Sequence, residues 1–356
     1  MSDINFQTGA NFAEGAAILN PVIQEIISQN QAQVGLDDQM SKLGFVMGDA
    51  LTPEGQITGM VGPEPLKPMD EDGVASLVTV MQGWTKQYQL QEYGLKNKCT
   101  KIFSKWIEAG AQMQGADSSV LAELNKFKEQ IERLVDGNTL IRNEVMTKVF
   151  ANGFSVTAAY GPGSATGDGV ALFSASHVCK KTGATFTNLC TGALSATTLE
   201  STIERYKDVV LAPNGYRVKT PEIFTLMVPR TLETTARKIL NSNGDQAGIY
   251  AGTANNANLL NVFSFQGSKV RLVVLDLLGE PDTDGNTIGG ANADAMWFLA
   301  NNEYNLRYKS FRVFQLWDKA INMWKDDETD SIFTKITTYF TADAYNFEGI
   351  MGYAGA

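Results

Sequence analysis

Apolar and polar positions alternate along residues 84–90, with Trp84, Lys86, Tyr88 and Leu90 on one parity and Thr85, Gln87 and Gln89 on the other. That is the period of a half-exposed strand, and Tyr93-Gly94-Leu95 predicts a bend and a return strand after it. A period of three to four takes over further on. Leu121, Leu124, Phe127, Ile131, Leu134, then Leu140 or Ile141, Val145 and Val149 place one apolar stripe on a long helix, from an N-cap at Asp117 or Ser118 to about residue 150. Asp136-Gly137 interrupts the stripe and predicts a bend or break, because glycine costs about 1 kcal/mol inside a helix. From residue 195 the pattern becomes mixed α/β. It comprises a helix opened by a Thr197-x-x-Glu200 capping box with Leu199, Ile203, Tyr206 and Val210 on its apolar face, a turn at Pro213-Asn214-Gly215, and a buried strand over 223–228. A helix from Pro229 through Leu240 follows, then a strand over 269–278 and strand-like runs at 296–300, 306–316 and 335–340, with Asp326-Asp327-Glu328 a solvated acidic turn.

Residues 1–70 lack such regularity. One short amphipathic helix is expected from Asn20-Pro21, an N-cap followed by proline at the first helical position, with Val22, Ile23, Ile26 and Ile27 on its apolar face. Pro53, Pro63, Pro65 and Pro68 then favour an extended tether over helix or central strand. The stretch reads as a poorly packed arm whose apolar residues need surface from elsewhere. Lys86, Lys96, Lys98, Lys101 and Lys105 make the following hairpin the most basic part of the chain, which reads either as edge protection on a solvated hairpin or, the preferred reading, as a projecting loop that lies on an acidic neighbour. The candidate contact residues are Ile23, Ile26, Trp84, Tyr88, Lys96 and Lys98.

Composition narrows the functions. The 356 residues carry a net charge of −10, which opposes binding to a phosphate backbone. Charged residues make up only 19 %, so much of the surface is neutral and open to protein contacts. One histidine, His177, leaves little room for histidine-dependent chemistry, and Cys99, Cys179 and Cys190 are too few for a disulfide framework and fit a reducing cytosol. The first basic residue is Lys42, and no run reaches the roughly 18 apolar residues of a membrane span, so a soluble cytoplasmic product with no membrane partner is expected.

Three constellations have the residue types of a chemical site. Residues 161–169, GPGSATGDG, lack the Gly-Lys-Ser/Thr of a phosphate loop and read as a flexible loop. His177, Cys179 and Cys190 show no fourth zinc ligand and no common spacing. Ser174 or Ser176 beside His177 would make a hydrolase pair, but no nucleophile elbow surrounds them. The reading is a non-enzyme with no catalytic residues, cofactor or metal.

The order of landmarks resembles the Mu-like major head subunits of tailed phages over residues 85–300. Val149-Phe150-Ala151-Asn152-Gly153-Phe154 precedes a glycine-rich gap, then Gly169, Ala171-Leu172-Phe173-Ser174, His177 and Leu194-Ser195. Val228-Pro229, Leu232-Glu233, Ala236-Arg237, Leu240-Asn241-Ser242 and Trp297-Phe298-Leu299-Ala300 continue the series. The resemblance implies an α+β fold of the Hong Kong 97 capsid type, laid out as an N-terminal arm (1–70), an extended loop (71–110), a peripheral domain with the spine helix (111–194), an axial domain (195–320) and C-terminal strands returning to the peripheral domain (321–356). It further implies a homo-oligomer of pentamers and hexamers in an icosahedral or elongated shell that encloses double-stranded DNA without sequence-specific binding. A separate scaffolding protein and a portal are the expected partners, with a decoration protein an open addition, and the virion is the final location after assembly in the host cytoplasm. An encapsulin-like compartment is the alternative.

Overall fold

A computed structural model describes residues 5–6, 36–62, 81–100, 118–156, 165–190, 192–241, 269–326, 328–329 and 331–355. The chain is mixed α+β and divides into two compact units. Unit 1 comprises Met1–Gln39, Leu90–Asn143 and Gln315–Phe340; unit 2 comprises Met40–Gln89, Glu144–Phe314 and Thr341–Ala356.

In unit 1 the sheet order is β1 (Asn5–Phe6), β11 (Phe311–Lys325), β12 (Ile332–Ala344) and β5 (Gln91–Cys99). β5 runs antiparallel to β12 with unbroken register from Gln91↔Phe340 to Cys99↔Ile332, so no bend forms at Tyr93-Gly94-Leu95. Pairing with β12 keeps Gly94 extended, and local turn preference yields to the ladder. Ile332, Thr334, Ile336, Thr338 and Phe340 are buried, whereas Phe333, Lys335 and Tyr339 on the opposite face are half-buried. The long helix, α2 (Ser118–Ala151), begins where the N-cap pattern places it. It continues through Gly137 as regular helix, contrary to the expected break. Ile131, Leu134, Val135 and Arg142 are buried on either side of that glycine, and packing of this stripe outweighs the propensity cost. Leu140 is exposed, so the stripe does not pass through it. The Arg142 guanidinium donates to Gln315 Oε1 at 2.8 Å and lies 5.2 Å from the Phe340 ring centre, which ties the helix to β11 and β12.

In unit 2 a four-stranded sheet runs in the order β13 (Ile350–Tyr353), β10 (Trp297–Ala300), β8 (Ile223–Pro229) and β9 (Lys269–Leu275). β8 is antiparallel to β10 and parallel to β9. The uninterrupted apolar run in β8 reflects burial on both faces from Phe224 to Val228. Phe150 at the end of α2 meets Phe45, Phe298 and Phe311 with ring centres 5.3 to 5.9 Å apart, forming the aromatic centre of the unit. α3 (Ala196–Val209) has Ser195 as its N-cap, and the reciprocal partner is Thr198, so the capping box lies two positions from the predicted Thr197-x-x-Glu200 pair. After Pro229 a short 3-10 turn leads into α4 (Glu233–Asn241). Residues 302–308 form a helix, α5 (Asn302–Tyr308), so the strand expected over 306–316 begins only at Phe311; the Asn301 side chain caps the helix by accepting from the Tyr304 N–H.

Within residues 1–70, the described part is more packed than an arm. α1 (Leu36–Leu43), β2 (Phe45–Asp49) and β3 (Glu54–Met60) follow one another, and Met40, Leu43 and Phe45 are buried. The helix expected from Asn20-Pro21, with Ile23 and Ile26, lies outside the described residues, as do Lys101 and Lys105.

Candidate functional site

The antiparallel hairpin of unit 2 pairs β3 with β4 (Gln82–Gln89), from Glu54↔Gln89 to Thr58↔Thr85, with a bulge before Met60↔Gln82. The alternation of residues 84–90 therefore marks a real strand, but its partner precedes it in sequence. Alternation reports which face of a strand is buried and is silent on which strand pairs with it. Lys86 sits on the inward parity and is buried opposite Ile57, so it is not part of an exposed basic surface. Its ammonium pairs with Asp343 and donates to the Ala344 carbonyl at 2.8 Å. Burial pushes the Asp343 carboxyl up to about 6, although the Lys86 charge pulls the other way. The Tyr345 hydroxyl donates to the Trp84 carbonyl, and Lys180 lies 3.8 Å from the Trp84 ring centre. Tyr88 stacks on Phe314 with ring centres 4.1 Å apart. Trp84 and Tyr88 are thus half-buried against their own chain, while Thr85, Gln87 and Gln89 face outward. A shallow pocket of about 360 Å³ lined by Glu54, Gly55, Gln56, Gln87, Tyr88 and Gln89 carries amides and a single carboxylate.

Lys96 and Lys98 lie on unit 1, on β5, and not on this hairpin. Lys96 Nζ is 3.8 Å from the Phe333 ring centre and 4.8 Å from that of Trp324; Lys98 Nζ is 5.5 Å from Phe333. Trp324 stacks on Phe333 and Trp317 on Tyr339, giving a partly exposed sheet face of rings beneath exposed ammonium groups. The structure thus places Trp84 and Tyr88 together in unit 2 and Lys96 and Lys98 together in unit 1. Sequence reasoning missed Asp343. A lysine on the inward parity of an alternating strand signals a buried cation in need of an acid, but nothing local identifies an acid 257 residues away.

The three chemical constellations resolve into packing. His177 is fully buried; its Nδ1 lies 2.8 Å from Asp168 Oδ2 and its Nε2 3.1 Å from the Leu172 carbonyl. Both ring nitrogens are taken, so neither is left to activate Ser174 or Ser176, whose hydroxyls are 3.3 Å from each other. The Cys179 thiol faces the Ala212 carbonyl at 3.4 Å, and burial pushes the Cys190 thiol up to about 12, against the thiolate that zinc requires. Among the described residues no three His, Cys, Asp or Glu side chains gather as metal ligands. In the glycine-rich segment, residues 165–169 form a closed turn in which Thr166 N donates to the Val170 carbonyl at 2.8 Å and Gly169 adopts φ +86. No helix among the described residues is long and apolar enough to cross a membrane.

Comparison with known proteins bears on this arrangement. A search of curated proteins gives no match. Similar solved structures include the capsid of Ralstonia phage GP4, 12 % identical over 88 % of this chain and 87 % of that one with a TM-score of 0.48. The mature capsid of bacteriophage PhiM1 is 12 % identical over 86 % and 83 % with a TM-score of 0.41. A virus-like particle from Pyrococcus furiosus is 11 % identical over 97 % and 100 % with a TM-score of 0.42. The family model described as phage capsid protein matches residues 122–352, from the first turns of α2 to β13 and so well over half of the sequence. The chain belongs to the phage capsid protein family.

Proposed function

We propose that this major capsid protein builds its shell from pentamers and hexamers in the manner of the Hong Kong 97 fold. In that layout α2 is the spine helix, the sheet of unit 1 belongs to the peripheral domain, and the four-stranded sheet of unit 2 belongs to the axial domain. The β3–β4 hairpin takes the place of the extended loop, with its base nearer residue 54 than residue 71. The shell encloses double-stranded DNA, forms in the host cytoplasm around a separate scaffolding protein, and carries a portal and, where present, a decoration protein. The observation that carries the reading is the family match over residues 122–352.

The chain performs no catalysis in this role. Lys96 and Lys98, with Trp324 and Phe333 beneath them, are the contact residues that keep a free surface for a neighbouring subunit; Ile23 and Ile26 would contribute from the N-terminal segment. Trp84 and Tyr88 act through the hairpin they fasten. Electron microscopy of the purified protein, alone and coexpressed with its genomic neighbours, tests the reading. Closed shells tens of nanometres across are the expected result, and filled shells from an infected host distinguish a genome container from an enzyme compartment. Persistent monomers in the presence of a scaffold would sink it.

A further inference from the structure

Asp168, His177 and Glu348 are ionisable side chains buried in unit 2. Asp168 lies in the turn before Val170, His177 opens β6 (His177–Val178), which pairs with β7 (Thr185–Phe186), and Glu348 precedes β13; all three side chains are almost wholly inaccessible. The Asp168 carboxylate accepts from Thr166 Oγ1 at 2.6 Å and from the Val170 N–H at 3.4 Å, and faces His177 Nδ1 at 2.8 Å. Burial raises this carboxyl, but the bonds from His177 and Thr166 outweigh it and hold the group below its ordinary range. The other ring nitrogen faces the Leu172 carbonyl, which accepts and never donates. An oxygen faces each ring nitrogen, so the ring is held between the Asp168 turn and the Leu172 carbonyl.

The same ring stacks on Phe347, with centres 3.9 Å apart and planes within 5°. Asn188 Nδ2 donates to the carbonyls of Leu172 and Phe347 at 2.7 and 3.3 Å, joining the 165–190 segment to the 345–352 segment. Glu348 follows Phe347, and its Oε2 is buried with no hydrogen-bond partner. The titratable groups that act on it are Asp168 from the turn, Tyr206 from α3, Tyr304 from α5 and Tyr345 from its own segment, none of them cationic.

We propose that Asp168, His177 and Glu348 form an alkaline-sensitive latch that fastens the 165–190 segment to the 345–352 segment. The latch holds with Glu348 a neutral acid, and it opens when base removes that proton. An ionised Glu348 puts a second negative charge beside Asp168, with an oxygen that no side chain or N–H solvates. Burial pushes Glu348 up to about 8, the Asp168 charge adding to it against weaker opposition from backbone N–H groups. A carboxyl raised in this way lends stability that is complete below its ordinary value of 4.5 and is lost as pH rises through about 8.

Hydrogen exchange of the full-length protein at about pH 6 and about pH 9.5, corrected for the base dependence of intrinsic exchange, tests the latch. In the wild type, amides of 165–190 and 345–352 should lose protection by about tenfold or more at the higher pH. Those of β8 should not, and Glu348→Gln should abolish the difference. Uniform loss across unit 2, no loss at all, or an equal loss in Glu348→Gln would overturn the proposal. Should that variant fail to fold, the pH at which the wild type loses this local protection is the independent readout. A midpoint at about 8 supports the latch, and a loss that falls well away from it, or together with that of β8, refutes it.

Discussion

Lys86 and Asp343 show how a buried ion pair positions a strand without adding much stability. Asp343 is harder to ionise than a free carboxyl even with an ammonium against it, so burial costs more than the attraction returns. Removing one partner is another matter. Asp343→Ala leaves the Lys86 ammonium buried between β4 and β12 and is expected to cost about 3 to 5 kcal/mol, read as a lower urea midpoint, while Lys86→Met combined with Asp343→Leu recovers most of the loss. The pH dependence follows from the raised carboxyl. Its contribution is complete below 3.8 and declines as pH rises through about 6, so Asp343→Asn should flatten that part of the stability profile. The burial of Lys86 was legible in its parity with Trp84 and Tyr88, but its identity as half of a pair was not. Sequence reasoning counted it among five surface lysines because charge is read residue by residue and burial is not.

Among elements, α2 has the plainest signature and also the one misread position. Its start, its end and the burial of Ile131, Leu134 and Val145 follow from three-or-four spacing, whereas the break at Gly137 does not occur. A β-carbon built on Gly137 would meet only Leu95 Cδ2 at 3.6 Å, an ordinary contact, so the glycine is not required by packing. Gly137→Ala should therefore stabilise the protein by about 1 kcal/mol, raising the thermal midpoint; a loss of stability would show that the helix needs a soft point there. The hairpin was half legible. Strand β4 was found from its period, but its partner β3 hides in a segment whose prolines read as a tether, and β5 was bent at a glycine that the ladder to β12 holds straight. The strand expected over 306–316 starts only at Phe311, because residues 306–308 close α5, where the capping bond from Tyr304 N–H to Asn301 decides for helix.

For the whole molecule, the net charge of −10 sets a cost on bringing copies together. Salt shortens the reach of that repulsion to about 10 Å at 0.1 M and about 3 Å at 1 M. Assembly followed by light scattering should accordingly proceed further and faster as salt rises through this range, and Lys96→Glu with Lys98→Glu should slow it, most at low salt. The two compact units also share the chain in an alternating way: unit 1 takes three stretches and unit 2 the three between and after them. The boundary cuts through α2, β11 and β12, and the central strand β10 of unit 2 pairs with β13, made from residues 350–353. A ribosome therefore has to reach Tyr353 before unit 2 can close its sheet, and to reach Phe340 before β5 has its full partner in unit 1. A growing chain therefore holds unit 1 open until residue 340 and unit 2 until residue 353, each waiting while stretches of the other are made. Its exposed apolar faces need shelter over that interval.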